Sequence, residues 1–124
     1  MKSLVTLAVV AGLALPLRAA APAAPSAADP VAVAADHYHI LLENDRVRML
    51  DFKLGPGERV PLHAHPDYVM YALTPFKVRF TSADGRSKDF EGPAGLAIYS
   101  DALVHSDENL GDSEFHVLIF ELKR

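Results

Sequence analysis

The sequence predicts an all-β domain of the sandwich or barrel kind, preceded by a segment of different character. Three observations carry that expectation. Beyond Tyr38, apolar residues recur in short alternating or β-branched runs, and no 3.6-residue apolar stripe exceeds two turns. Turn signals separate these runs at a spacing of about ten residues, as in closed antiparallel folds. Finally, thirteen of the 19 alanines fall in residues 1–35 while all ten aromatic residues follow residue 36, so only the second part carries side chains able to fill a core.

The chain opens with Met1-Lys2-Ser3, a short positive start, and Leu4 to Leu15 is free of charge. Twelve residues rise about 18 Å as a helix, too short for a hydrocarbon layer of about 30 Å. Small residues follow at Ala19-Ala20-Ala21, so residues 1–21 read as a signal peptide, with an uncleaved amphipathic anchor as the alternative. Residues 22–37, rich in Ala and Pro, read as a disordered or extended linker, and residues 38–124 as the domain. The expected strands are Ile40–Leu42, Val47–Leu54, Val60–His65, Val69–Leu73, Phe76–Thr81, Ser87–Phe90, Leu96–Tyr99, Leu103–His105 and Glu114–Leu122. Leu50, Phe52 and Leu54 share one face of the second. Asp84-Gly85 between the Phe76 and Ser87 runs is a strong hairpin signal.

Composition narrows the chemistry. The 124 residues carry 12 Lys+Arg against 16 Asp+Glu and no cysteine. That excludes disulfide staples, thiol nucleophiles and thiolate-held metals, and the acidic balance argues against nucleic acid as a partner. Removing Lys2 and Arg18 with the leader leaves ten positive groups against 16 negative ones, a charge of −6. The mature product is expected to be periplasmic or secreted, and not membrane-bound once the leader is gone.

The informative stretch is Gly57-Glu58-Arg59-Val60-Pro61-Leu62-His63-Ala64-His65-Pro66. Residues two apart on a strand face the same way, about 6.5–7 Å apart along the chain, so His63 and His65 present two imidazoles side by side. A third metal ligand must come from elsewhere, and His105 at the start of a later strand is the candidate. On its own, an H-x-H pair is equally compatible with two polar residues on a solvated strand face.

These positions fit a larger pattern. Five residues separate Gly57 from His63, His65 follows, and His105 with Asn109 keeps an H-x3-N spacing. In this the chain resembles the cupin superfamily over about residues 38–122. The resemblance implies a cupin-type jelly-roll β-barrel (a double-stranded β-helix), a divalent transition metal held by His63, His65 and His105, a structural role for Asn109, and a homodimer. The departures are informative too. The glutamate of the first motif would fall at Val69 or Met70, neither of which coordinates a hard cation, and Ser100 and Ala102 replace a proline and a glycine of the second motif. Three neutral imidazoles leave a divalent ion its full charge, which favours a small anionic molecule as partner. All-nitrogen ligation suits Fe, Zn, Cu or Ni, not Mg or Ca.

Other polar residues have blander readings. His37 and His39 are expected to be exposed or structural, or to sit in a dimer edge, and His116 to face outward. Arg46 and Arg48 are placed on the outside, Asp107 and Glu108 on the solvated surface or behind an imidazole, and Asp67 is disfavoured as a ligand beyond Pro66. Among the tyrosines, Tyr71 and Tyr99 are the candidate walls of a substrate pocket. No general base stands out. The resemblance implies an oxygenase, lyase or isomerase acting on a small anion, and the alternative is a non-catalytic module that binds a metal or small ligand through the same site.

Overall fold

A computed structural model describes residues 28–124. The expected signal peptide and the first residues of the linker lie outside the described residues. Among the described residues there are nine strands and one short helix: α1 (Pro30–Val33), β1 (Tyr38–Glu43), β2 (Val47–Leu54), β3 (Arg59–His65), β4 (Tyr68–Ala72), β5 (Phe76–Ser82), β6 (Ser87–Gly92), β7 (Ala97–Ser100), β8 (Leu103–Asn109) and β9 (Phe115–Leu122). Each expected strand is present. Two antiparallel sheets of order β1-β2-β9-β4-β7 and β3-β8-β5-β6 face one another.

Strand alternation builds the core. Leu50, Phe52 and Leu54 of β2 point inward, as do Phe115, Val117 and Ile119 of β9, and they meet Val60, Met70, Ala72, Phe76 and Val78. At the β5–β6 hairpin Gly85 takes φ +85°, a conformation that side-chain-bearing residues disfavour. Asn109 fastens the strand ends: its amide donates to the carbonyls of Leu54 and Ser113, both at 2.8 Å, and its Oδ1 accepts from Gly111 N.

Two expectations are corrected at the level of elements. The second half of the 22–37 segment is not an extended linker. Asp29 caps α1 by accepting from Val31 N at 2.9 Å, Pro30 occupies the first turn, and Pro30 and Ala34 are buried against the barrel. Ala28 O accepts from Ala64 N, tying this segment to β3. Likewise β8 does not stop at His105 but runs to Asn109, because its polar residues pair on both sides with β3 and β5.

Candidate metal centre

The three histidines converge because β3 and β8 are neighbours in register, with His63 directly opposite His105. One extra residue in β3, at Pro61-Leu62, shifts the register between Val60 and His63. Pro61 has no N–H to contribute to the ladder, so the bulge falls where a ladder bond is already missing. Beyond it, His63 and His65 both point into the barrel with Val60. His63, His65 and His105 are all buried, and each offers one ligand atom within 4.8 Å of the others. The His63 ring centroid lies 4.9 Å from that of His65 and 4.7 Å from that of His105.

Hydrogen bonds fix which nitrogens are free. His63 Nδ1 donates to Pro61 O at 2.8 Å; a carbonyl can only accept, so Nε2 keeps its lone pair. His65 Nδ1 donates to Glu121 Oε1 at 2.7 Å, so the lone pair of this ring likewise sits on Nε2. Such a carboxylate behind an imidazole orients the ring and raises its basicity toward a metal. Asp107 Oδ1 lies 3.0 Å from His105 Nδ1 but off the ring N–H direction, and both ring nitrogens of His105 are buried with no hydrogen-bond partner.

Three further residues close the centre. Tyr38, from β1, is buried with its hydroxyl 3.0 Å from His63 Nε2 and 3.3 Å from Asp107 Oδ2. Glu121 is 2% exposed and meets Arg48 Nε at 2.5 Å, and Arg48 reaches Asp29 Oδ2 at 2.6 Å. A line of charge thus runs from the helix cap to His65. Arg48 is therefore half-buried and paired inward rather than outside, and Asp107, 4% exposed, is no part of a solvated surface.

Electrostatics follow from this burial. Burial pushes the His63 imidazole down to about 4, against the help of the Pro61 carbonyl. Burial, then His63 and His65, push His105 down to about 2. Burial raises the Asp107 carboxyl to about 7, against the hydrogen bond from Tyr38. Burial and the nearby Asp107 hold the Tyr38 phenol well above its usual range. For Glu121 burial pulls upward, but hydrogen bonds from His65 and Arg48 prevail and its carboxyl stays below the ordinary value. His63 and His105 are thus suited to remain neutral near pH 7, the form that binds metals.

The donor set fits a divalent transition metal. Three imidazoles offer nitrogen ligands, and the partnerless nitrogens of His105 are the buried lone pair and N–H that a bare core would not tolerate without cost. Beside the histidines a narrow space of about 10 Å³ is shared by Tyr38, His65, Tyr68, His105 and Asp107. Next to it lies a cavity of about 210 Å³ lined by Met70, Phe76, Phe80, Phe90, Leu103 and Phe115, with Tyr68, Tyr99 and Ser100 the polar contributors. Tyr99 is in the lining and 58% exposed. Tyr71 is not in it: alternation in β4 turns Tyr68 and Met70 inward and leaves Tyr71 41% exposed on the outer face. Asp67 is occupied elsewhere, accepting from Ala102 N and pairing with Arg124. His116 pairs with Asp51 at 2.6 Å, and His37 Nδ1 donates to Lys53 O, both away from the centre.

No family model and no curated protein matches this sequence. Solved structures do. The chain is similar to a cupin domain from Bordetella pertussis Tohama I, at TM-score 0.65 and 24% identity over 70% of this chain and 92% of that one. It is similar to an RmlC-like cupin with a double-stranded β-helix fold from Methanocaldococcus jannaschii, at TM-score 0.55 and 17% identity over 69% and 78% of the two chains. A structure from Thermotoga maritima described as a predicted oxalate decarboxylase is 25% identical at TM-score 0.53, over 70% of this chain and 79% of that one. With its two facing sheets and near-complete overlap with a small cupin domain, the chain has the single-domain cupin fold, a jelly-roll double-stranded β-helix.

Proposed function

We propose that this protein binds one divalent transition metal through His63, His65 and His105 and takes a small organic anion whose apolar body occupies the adjoining cavity. The observation that carries the reading is His105: both its ring nitrogens are buried without a partner, between two histidines whose Nε2 lone pairs face inward. Bound iron, zinc, copper or nickel would supply a Lewis acid and, for iron or copper, a redox centre. The chain's own part is to hold His65 through Glu121 and Arg48, to keep water out with Phe80 and Phe115, and to offer the cavity as the seat for the ligand's body.

The Thermotoga neighbour's name points to oxalate, a compact dianion. The cavity here supports a different ligand, because no cationic side chain lines it to meet a second carboxylate. One anionic oxygen on an otherwise apolar molecule suits it better. The absence of any carboxylate, imidazole or amine from that lining supports a second reading, a non-catalytic binding module. Residues 1–21 support export to the periplasm or medium, and the exposed Ile40, Leu41 and Leu42 on the edge strand β1 support pairing into a homodimer.

The test is elemental analysis and metal titration of mature protein purified without chelator or metal-affinity resin. About one equivalent bound by the wild type, and a His105→Ala variant that folds but binds none, is expected. A wild type that takes up no iron, zinc, copper or nickel overturns the reading. Turnover of candidate enolates and aryl carboxylates by the loaded protein under oxygen separates enzyme from binder.

A further inference from the structure

The cupin motif glutamate has no counterpart at Val69 or Met70, and a second residue stands at the centre instead. Tyr38 lies on β1, outside both motifs, yet its hydroxyl is 3.0 Å from His63 Nε2. Pro61 O holds the His63 proton on Nδ1, so the nitrogen that Tyr38 faces is the one whose lone pair is available to an ion. Two donors that share one ion at about 2.0–2.1 Å in tetrahedral geometry stand about 3.3 Å apart. The Tyr38 oxygen and His63 Nε2 are already at that kind of separation. The same side chain lines the narrow space shared with His65 and His105, and its ring centroid is 5.9 Å from that of His65.

Packing alone does not account for this placement. Tyr38 stacks on Phe52 at a centroid distance of 4.3 Å, a contact that a phenylalanine would make equally well. The hydroxyl adds nothing there, and instead it is delivered, buried, to a ligand nitrogen. Asp107 is placed differently: its Oδ2 is 3.8 Å from His63 Nε2 and its Oδ1 sits beside His105 Nδ1. It faces the same His63 nitrogen from farther off than the phenol does, and it is not among the donors that lie within 4.8 Å of one another.

We propose that Tyr38 is the fourth protein ligand of the metal, bound as phenolate, in the role the missing glutamate would fill. The inference rests on the three-histidine reading. On binding, the Tyr38 O–H bond breaks, an oxygen–metal bond forms, and the proton passes to Asp107 Oδ2, 3.3 Å away. No oxidant or reductant is involved. The phenolate would reduce the ion's charge from +2 to +1, as a glutamate would.

The experiment uses the full mature protein loaded with iron(III), since a phenolate bound to iron(III) gives a charge-transfer absorption in the visible that imidazoles alone do not. The wild type is expected to show the band, Tyr38→Phe to lack it, and Tyr71→Phe, on the outer face of β4, to keep it. Zinc affinity, measured by chelator competition, is expected to fall tenfold or more in Tyr38→Phe. The wild-type spectrum needs no variant, so misfolding of Tyr38→Phe does not obscure the result. One equivalent of iron bound without the band, or a band that persists in Tyr38→Phe, overturns this proposal and leaves the three-histidine reading standing. A wild type that binds neither iron nor zinc overturns both.

Discussion

Asp107 and the two imidazoles beside it respond to acid in opposite senses. Below about 6.5, the unfolded-state value, an unfolded histidine takes a proton that buried His63 and His105 refuse, so both lose stability as pH falls. Asp107 acts the other way, because folded it is protonated from about 7 downward while unfolded it waits until about 3.9. Between about pH 6.5 and 4.5 the unfolded chain therefore holds up to two protons on these groups and the folded chain about one. Metal-free protein is expected to lose stability as pH falls through that window. The check is a urea midpoint that falls on acidification; a rising midpoint would contradict the burial of these histidines. The three histidines were legible in the sequence because two share a strand face and the third keeps its spacing to Asn109. Tyr38 was not, since one polar residue in a strand carries no pattern, and Asp107 was legible only as one of two alternatives beside His105. Glu121 left a trace: it takes the inward parity of Phe115, Val117 and Ile119, where alternation calls for an apolar residue.

At the scale of elements, the bulge in β3 and the turn before it aim the histidines. Gly57 begins this stretch with φ +74° and open space where a side chain would project. Gly57→Ala is therefore expected to cost about 1–2 kcal/mol through backbone strain alone. Thermal unfolding reads that loss, and an unchanged zinc affinity would show that the turn affects stability without moving the centre. The strands were legible from alternation and turn residues, and their ends were less so. β8 continues through Ser106-Asp107-Glu108 because a central strand accepts polar residues where each inward one finds partners. Helix α1 was hidden by composition. An Ala/Pro-rich segment reads as extended, and only the cap at Asp29 and the burial of Pro30 and Ala34 against the barrel make it fold.

For the whole molecule, the centre ties both sheets together. His63, His65 and His105 come from one sheet, while Tyr38, Arg48 and Glu121 come from the other. Metal at 100 times its dissociation constant is expected to add about 2.7 kcal/mol to the stability of the entire domain. At about 4–8 °C per kcal/mol for a domain of this size, the melting temperature would rise by about 10–20 °C. Calorimetry with and without a chelator measures it, and an unchanged melting temperature would mean that the folded domain holds no ion. The cavity beside the centre sets what such a scaffold can tell apart. Walls of Phe, Met and Leu carry no directional contacts, so they sort guests by outline and bulk instead of by polar substituents. A surplus methylene in such a seat shifts preference by only about 1–3 kcal/mol. A graded series of ring congeners would consequently be ranked by girth, with several near relatives accepted side by side.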